Sequence, residues 1–520
     1  MNLTLTPIRF KKRAESLFAN KLGVVDGDRR FTYREFCARA DRLSNALESL
    51  GVARGERVAW LGYNSHELLE AYYGVVQKGS VLLPLNIRLT PDELAYILND
   101  SEAVSVFYNK DFTPLLEALK PRCATVRKFI CIETDYESML ENASPNFTPP
   151  RDIGDDELAE LFYTSGTTAN PKGVMMSHRN LYMHAMQVIG GLGVKESIVQ
   201  LHTIPLFHVN GWGTPHTLTC MGARHVMTRR FDPTEVLELI QREKVTNFAM
   251  VPTMAIALIN HPNLKNYDLS SLDYVAIGGA ASPTELMRDV EARLGCRCYG
   301  GYGLTETTPV LTQSFIKHHL EGLPDDDRWR RQAMAGYPMP GVELEIVDEN
   351  DQPVAHDGIA VGEVVVRADN VMLGYWKLPE DTAQVMRNGW FHTGDMAVVD
   401  EEGYYLIVDR KKDIIISGGE NISSIEVEKA VYAHAAVLEC AVIPVPDDRW
   451  GEVPKALVVL KPGESISEAV LIEHCREKLP GFKVPKSVEF FEALPKGGTG
   501  KILKRELREK YWKGYDKRVH

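Results

Sequence analysis

The chain has 520 residues, 44% of them hydrophobic and 25% charged, with a formal net charge of −12. This composition is ordinary for a globular protein and excludes collagen-like, mucin-like and disordered chains; at roughly 150 residues per domain it suggests about three to four folding units. The acidic balance argues against a general nucleic-acid binder, which carries a basic surface, and reads as a charge that favours solubility.

From the start of the chain, Met1-Asn2-Leu3-Thr4-Leu5-Thr6-Pro7 has no basic stretch followed by an apolar core, so no secretory signal is expected. No apolar run reaches the ~18 residues of a membrane span, and a cytoplasmic enzyme is expected. The eight cysteines contain no Cys-x-x-Cys pair. Reduced thiols fit this spacing better than a zinc site or a disulfide framework.

Residues 57–61 read as a short strand, 65–77 as a helix and 81–85 as a second strand. This βαβ pattern predicts an α/β architecture. It returns with strands at 247–251 and 274–277 and a helix at 283–294 that has proline in its first turn. Beyond about Gly341 the texture becomes β-rich. Strands at 342–347 and 362–367 flank the turn Asp348-Glu349-Asn350-Asp351, and a strand at 404–408 follows Asp400-Glu401-Glu402-Gly403. The charged run Asp409-Arg410-Lys411-Lys412-Asp413 reads as a domain joint. A further βαβ-like pattern then runs through 425–434, 439–443 and 456–460 and suggests a small C-terminal domain.

The most informative segment is Tyr163-Thr164-Ser165-Gly166-Thr167-Thr168-Ala169-Asn170-Pro171-Lys172-Gly173-Val174, which follows the apolar stretch 158–163. Small hydroxylated residues and glycines present backbone N–H groups and hydroxyls to phosphate oxygens. Lys172 adds a charge for a β- or γ-phosphate. The segment is not a Walker A loop, because Gly-Lys followed by Ser or Thr is absent. Taken alone it also reads as a plain polar turn.

Five more segments follow: Tyr302-Gly303-Leu304-Thr305-Glu306-Thr307, Trp390-Phe391-His392-Thr393-Gly394-Asp395, Asp409-Arg410-Lys411-Lys412-Asp413, Ser417-Gly418-Gly419-Glu420-Asn421-Ile422 and Pro495-Lys496-Gly497-Gly498-Thr499-Gly500-Lys501. In this order the series resembles the adenylate-forming superfamily of acyl-CoA synthetases, carrier-loading adenylation domains and beetle luciferases, over nearly the whole chain. The resemblance implies a large N-terminal domain, 1–409, of several subdomains with βαβ layers and a β-rich part. It also implies a hinge at 410–412 with Lys412 as pivot, and a small mobile α+β lid, 413–520.

The resemblance also implies roles. Thr164, Ser165, Gly166, Thr167, Thr168 and Lys172 would hold the phosphates of ATP. Gly279, Ala280, Gly301, Tyr302 and Gly303 would border the adenine, with Tyr302 as a stacking face. Thr305 would meet the α-phosphate. Glu306, with Thr164, would offer hard oxygens to Mg²⁺. Asp395 and Arg410 would hold the ribose. Lys501, on a glycine-rich loop, would deliver a cation to the reacting carboxylate and α-phosphate. In Ile204-Pro205-Leu206-Phe207-His208-Val209-Asn210-Gly211-Trp212-Gly213, His208 would orient the acid or gate the thiol channel, and Trp212 would close one wall of an acyl pocket lined by Gly278, Gly279 and Gly301. Gly418, Gly419 and Glu420 would line the CoA channel.

The expected activity is a two-step ligation that uses ATP, Mg²⁺ and coenzyme A. The expected substrate is a short- to medium-chain acid, by resemblance to ligases of the 3-methylthiopropanoate type. Two alternatives stay open: an aryl-acid ligase of the 4-coumarate or benzoate type, and an adenylation enzyme that loads a carrier protein. No nucleic-acid partner is expected, and a homodimer is the assembly considered.

Overall fold

The computed structural model describes residues 3–164, 170–280, 282–418, 420–447, 449–496 and 502–512. The chain divides into two units, 1–344 with 366–391, and 345–365 with 392–520.

In the first unit, Arg57–Leu61 is a strand buried from Val58 onward. Ser65 then caps the helix His66–Gly74 by accepting from the Leu68 N–H. The chain returns as the strand Val81–Pro84, parallel to the first with Arg57 opposite Val81. A parallel pair requires such a crossover, so the predicted βαβ unit is real. Five parallel strands build the larger part of a seven-stranded sheet, in the order Lys128–Cys131, Ala103–Tyr108, Arg57–Leu61, Val81–Pro84 and Leu158–Thr164. Lys172–Ser177 and Gly374–Tyr375 complete it as antiparallel strands.

A second sheet in this unit has nine strands. Its parallel core runs Arg297–Gly303, Tyr274–Ile277, Asn247–Met250, Val199–His202, Arg224–Met227 and Leu22–Asp26. The strand order reverses direction at Val199–His202, which lies between Asn247–Met250 and Arg224–Met227. In open parallel sheets the crevice at such a reversal, beyond the carboxyl ends of the strands, is where ligands bind. Both sheets are buried on their faces. Leu201, Val226, Phe248, Val275 and Ile277 are among the core residues of the nine-stranded one. Each such side chain contributes roughly 1.5–3 kcal/mol by leaving water.

The second unit corrects one expectation. Val437–Asp447 and Gly451–Leu460 form a long antiparallel hairpin, not the parallel pair of a βαβ unit. The short connection between Asp447 and Gly451 permits only an antiparallel return. The first strand also runs through Pro444 and Pro446. It lies at the edge of its sheet, where the missing N–H of a proline is tolerated. A true parallel crossover comes one element later, from Gly451–Leu460 through the helix Glu468–Arg476 to Ser487–Phe490.

All eight cysteines are buried and none is in a disulfide. Among the described residues no helix is long and apolar enough to cross a membrane.

Candidate active site

Ser165, Gly166, Thr167, Thr168, Gly419 and Lys501 lie outside the described residues. The phosphate segment is bracketed by an antiparallel pair, Leu158–Thr164 with Lys172–Ser177, that sets Thr164 opposite Lys172. Gly374–Tyr375 pairs with the second of these strands, Tyr375 opposite Val174. This register brings the Tyr375 ring beneath the Lys172 ammonium, 5.1 Å away. Lys172 also pairs with Asp381 at 2.7 Å.

Glu306 belongs to a 3₁₀ turn, Thr305–Thr307. Asn370 pins this turn twice: its side-chain amide donates to the Thr307 carbonyl at 2.6 Å, and its own carbonyl accepts from the Thr308 hydroxyl at 2.7 Å. The Tyr375 hydroxyl donates to Glu306 Oε1 at 3.0 Å. Burial first, and then the Glu306 charge, push the Tyr375 phenol well above its ordinary value, so it stays a donor. The carboxylate of Glu306 and the hydroxyl of Thr164 are hard oxygens, a donor set that fits Mg²⁺.

The acid-pocket segment leaves the strand Val199–His202 at the reversal point of the nine-stranded sheet. Val209, Asn210, Gly211, Trp212 and Gly213 have φ of 42°, 42°, 54°, 63° and 80°. A left-handed run costs an L-residue about 1–2 kcal/mol at each position, so packing must enforce it. A Cβ on Gly213 would stand 2.3 Å from the His184 ring, so only glycine fits. The turn swings the Trp212 indole onto Gly278, where an added Cβ would stand 3.0 Å from the ring. Gly278 follows the strand Tyr274–Ile277, and the carbonyl oxygen of Gly301 lies 3.3 Å from the same point. Trp212, Gly278 and Gly301 thus lie together, and the absent side chain at Gly278 is what admits the indole. Gly279 and Ala280 are exposed beside them. His208 is half-buried at the start of the turn, its carbonyl accepting from the Gly211 N–H at 3.1 Å. Tyr302 is half-buried and pairs with Thr312; Gly303 follows at the strand end.

In the second unit, Asp395 and Arg410 face each other across an antiparallel pair. Arg410 Nε lies 3.3 Å from Asp395 Oδ1, with the carboxylate buried and the guanidinium half in water. The carbonyl of Lys412 accepts from Arg508 at 2.8 Å. Gly418 lies between the paired strands Ile415–Ser417 and Glu420–Ile422, and its N–H donates to the Trp450 carbonyl at 2.8 Å. Lys496 and Ile502, on either side of the segment that carries Lys501, form an antiparallel bridge.

Among the described residues one grouping of histidine and carboxylates converges tightly enough for a metal: Asp26, His66 and Glu67. A guanidinium fills the cationic role there. Arg29 Nη1 stands 3.1 Å from His66 Nε2 and 2.7 Å from Glu137 Oε1. Burial works against the His66 imidazolium, but hydrogen bonds to Asp26 and Glu137 and the charges of Glu70 and Glu67 outweigh it, and its pKa is pushed up to about 10. This is a structural charge network.

Sequence reasoning missed Tyr375 and Asp381. Both lie beyond the local motifs they serve, and no spacing links them to Glu306 or Lys172. An aromatic between Gly374 and Trp376 was the one available signal.

Known proteins resemble this chain over nearly its whole length. The family model for AMP-binding enzymes matches residues 10–376, and that for the AMP-binding enzyme C-terminal domain matches 426–501. A long-chain-fatty-acid–CoA ligase of Thermus thermophilus is 40% identical over 519 residues, covering 96% of this chain and 95% of its own. A peroxisomal butyrate–CoA ligase of Arabidopsis thaliana is 37% identical, covering 98% and 93%. The crystal structure of an anthranilate CoA ligase in complex with anthranoyl-AMP superposes with a TM-score of 0.89 at 29% identity, covering 98% of each chain. With the fold, the motif order and whole-length relatives in agreement, the chain belongs to the AMP-binding enzyme family, in its acyl-CoA synthetase branch, and is an ATP-dependent acid–CoA ligase of the AMP-forming type.

Proposed function

We propose that the acid is short- to medium-chain, with methylthio-substituted acids in the accepted range. One observation supports this reading: the Trp212 indole lies against Gly278, and in this reading it closes the acid pocket to a long chain. A second reading, an aryl acid, is favoured by the same flat indole set against glycine backbone and by the similarity to an anthranilate ligase.

The substrate carboxylate is already ionised near neutral pH and needs no general base. It attacks the α-phosphate of ATP and expels pyrophosphate, leaving acyl-AMP. The CoA sulfur then attacks the acyl carbon and AMP departs. Positioning and charge stabilisation do most of the work in such a transfer. In this reading Lys172 and the 165–168 segment hold the phosphates, and Glu306 and Thr164 hold Mg²⁺. Tyr302 stacks on adenine, and Asp395 and Arg410 hold the ribose. Lys501 supplies the cation where carboxylate and phosphate meet. Lys412 is the hinge between 1–409 and 413–520. Gly418 and Glu420 border the thiol path.

The test is a mass-spectrometric assay with Mg-ATP, CoA and carboxylic acids graded by length and aromaticity. Acyl-CoA and AMP formed best from short and medium chains support the proposal. A preference for long-chain or aromatic acids overturns it, and acyl-AMP without acyl-CoA points to a carrier-protein acceptor.

A further inference from the structure

The segment between Val199–His202 and the helix Thr214–Met221 has no sheet partners for most of its backbone, so distant side chains must hold its polar groups. Asn64 accepts from the Leu206 N–H and donates to the His202 and Ile204 carbonyls. The Tyr72 hydroxyl donates to the Leu206 carbonyl at 2.6 Å. Within the left-handed turn the Thr214 and Thr217 hydroxyls donate to the Gly211 and Gly213 carbonyls, each at 2.9 Å, and one distant group reaches the Asn210 side chain. Glu160 is fully buried, and its Oε2 accepts from Asn210 Nδ2 at 3.2 Å while its Oε1 accepts from His216 Nε2 at 2.7 Å. Asn210 stands second in the positive-φ run, between the two residues assigned to the acid. Glu160 stands on the strand Leu158–Thr164 that feeds the phosphate segment.

We propose that Glu160 is a positioning residue: its carboxylate fixes the 209–213 turn against the strand that leads to the phosphates, and so sets where His208 and Trp212 meet the acid. This rests on the acid-pocket reading above. A carboxylate without water is retained only where donors satisfy it, and both donors here come from the acid segment and the helix that follows it. Asn210 is an apt contact, since asparagine enters the left-handed region more readily than most residues. Its Oδ1 and the His216 Nδ1 have no hydrogen-bond partner among the described residues, so Glu160 is the polar anchor both side chains show.

Full-length Glu160→Ala, Glu160→Gln and Trp212→Gly are to be assayed by ATP–pyrophosphate exchange with acids graded in length, with separate KM values for acid and ATP. Loss of a hydrogen-bonded charge raises the acid KM of Glu160→Ala about tenfold or more and shifts its chain-length preference. Its KM for ATP stays within about twofold, because uniform binding of the nucleotide is untouched. Glu160→Gln restores most of the loss, since glutamine accepts from His216 and donates to Asn210 once that amide turns over. Equal loss toward acid and ATP in Glu160→Ala overturns the proposal. So does an unchanged chain preference while Trp212→Gly shifts it. If Trp212→Gly also leaves preference unchanged, the acid-pocket reading fails and the proposal falls with it. Should Glu160→Ala not fold, Asn210→Ala cuts only the link to the turn: a shifted acid preference supports the proposal, and an unchanged one refutes it.

Discussion

The Tyr375 phenol donates to the Glu306 carboxylate at 3.0 Å across 69 positions of sequence. The same ring underlies the Lys172 ammonium. One aromatic side chain therefore orients the assigned Mg²⁺ ligand and carries the assigned phosphate cation. Tyr375→Phe keeps the ring and removes the donor. We expect the Mg²⁺ concentration for half-maximal ATP–pyrophosphate exchange to rise roughly three- to tenfold, the effect of one hydrogen bond to a charged group. Unchanged Mg²⁺ dependence would separate Glu306 from the metal.

Trp212 sets the depth of the acid pocket in the proposed function. Trp212→Gly removes the indole from Gly278 and should move the preferred acid to longer chains, read as a shift in the ratio of kcat/KM values across a length series. Each extra methylene that finds room is worth about 0.8 kcal/mol, or roughly fourfold. A length profile that does not move would remove Trp212 from the pocket wall.

The two half-reactions separate the roles assigned to Lys501 and Lys412. Lys501→Ala should lower acyl-AMP formation by about a hundredfold or more, as loss of a preorganised charge does, yet spare thioester formation from supplied acyl-AMP. Lys412→Pro should show the reverse, because proline restricts the backbone dihedrals a hinge must change. Single-turnover assays of each step check both, and equal loss of the two steps in Lys501→Ala would sink the assigned role.

His66 gives a pH prediction for stability. Its ordinary value of 6.5 is raised to about 10 in the folded chain. The contribution of its charge is therefore complete below pH 6.5 and lost as pH climbs through about 10. One proton linked to folding gives a slope of at most about 1.4 kcal/mol per pH unit. Asp26, Glu67, Glu70, Glu137 and Arg29 surround the ring. Urea unfolding of wild type and His66→Gln across that window should show the slope in the first and a flatter dependence in the second.

Much of the site is legible in the amino-acid sequence. The strands Arg57–Leu61, Tyr274–Ile277 and Gly362–Arg367 are readable from short apolar runs between turns. The roles expected of Thr164, Lys172, Thr305 and Glu306 come from the resemblance of their short segments to a known family, each segment lying within a few residues of chain. The meeting of Trp212 with Gly278 follows from a turn whose left-handed backbone no propensity announces.

The sequence by itself determined the α/β class and the order of six chemical segments, whose resemblance to a known family implies the reaction. Tertiary structure alone decided which distant groups complete them. Glu160 meets Asn210 from 50 positions away and His216 from 56, and Lys172 meets Asp381 from another strand's neighbourhood. The C-terminal hairpin returns antiparallel because its connection is short, and the edge position of its first strand tolerates Pro444 and Pro446. The physical reason is common to all: local spacing encodes which atoms a segment can present, whereas strand order and register, set by burial of whole faces, decide what those atoms meet.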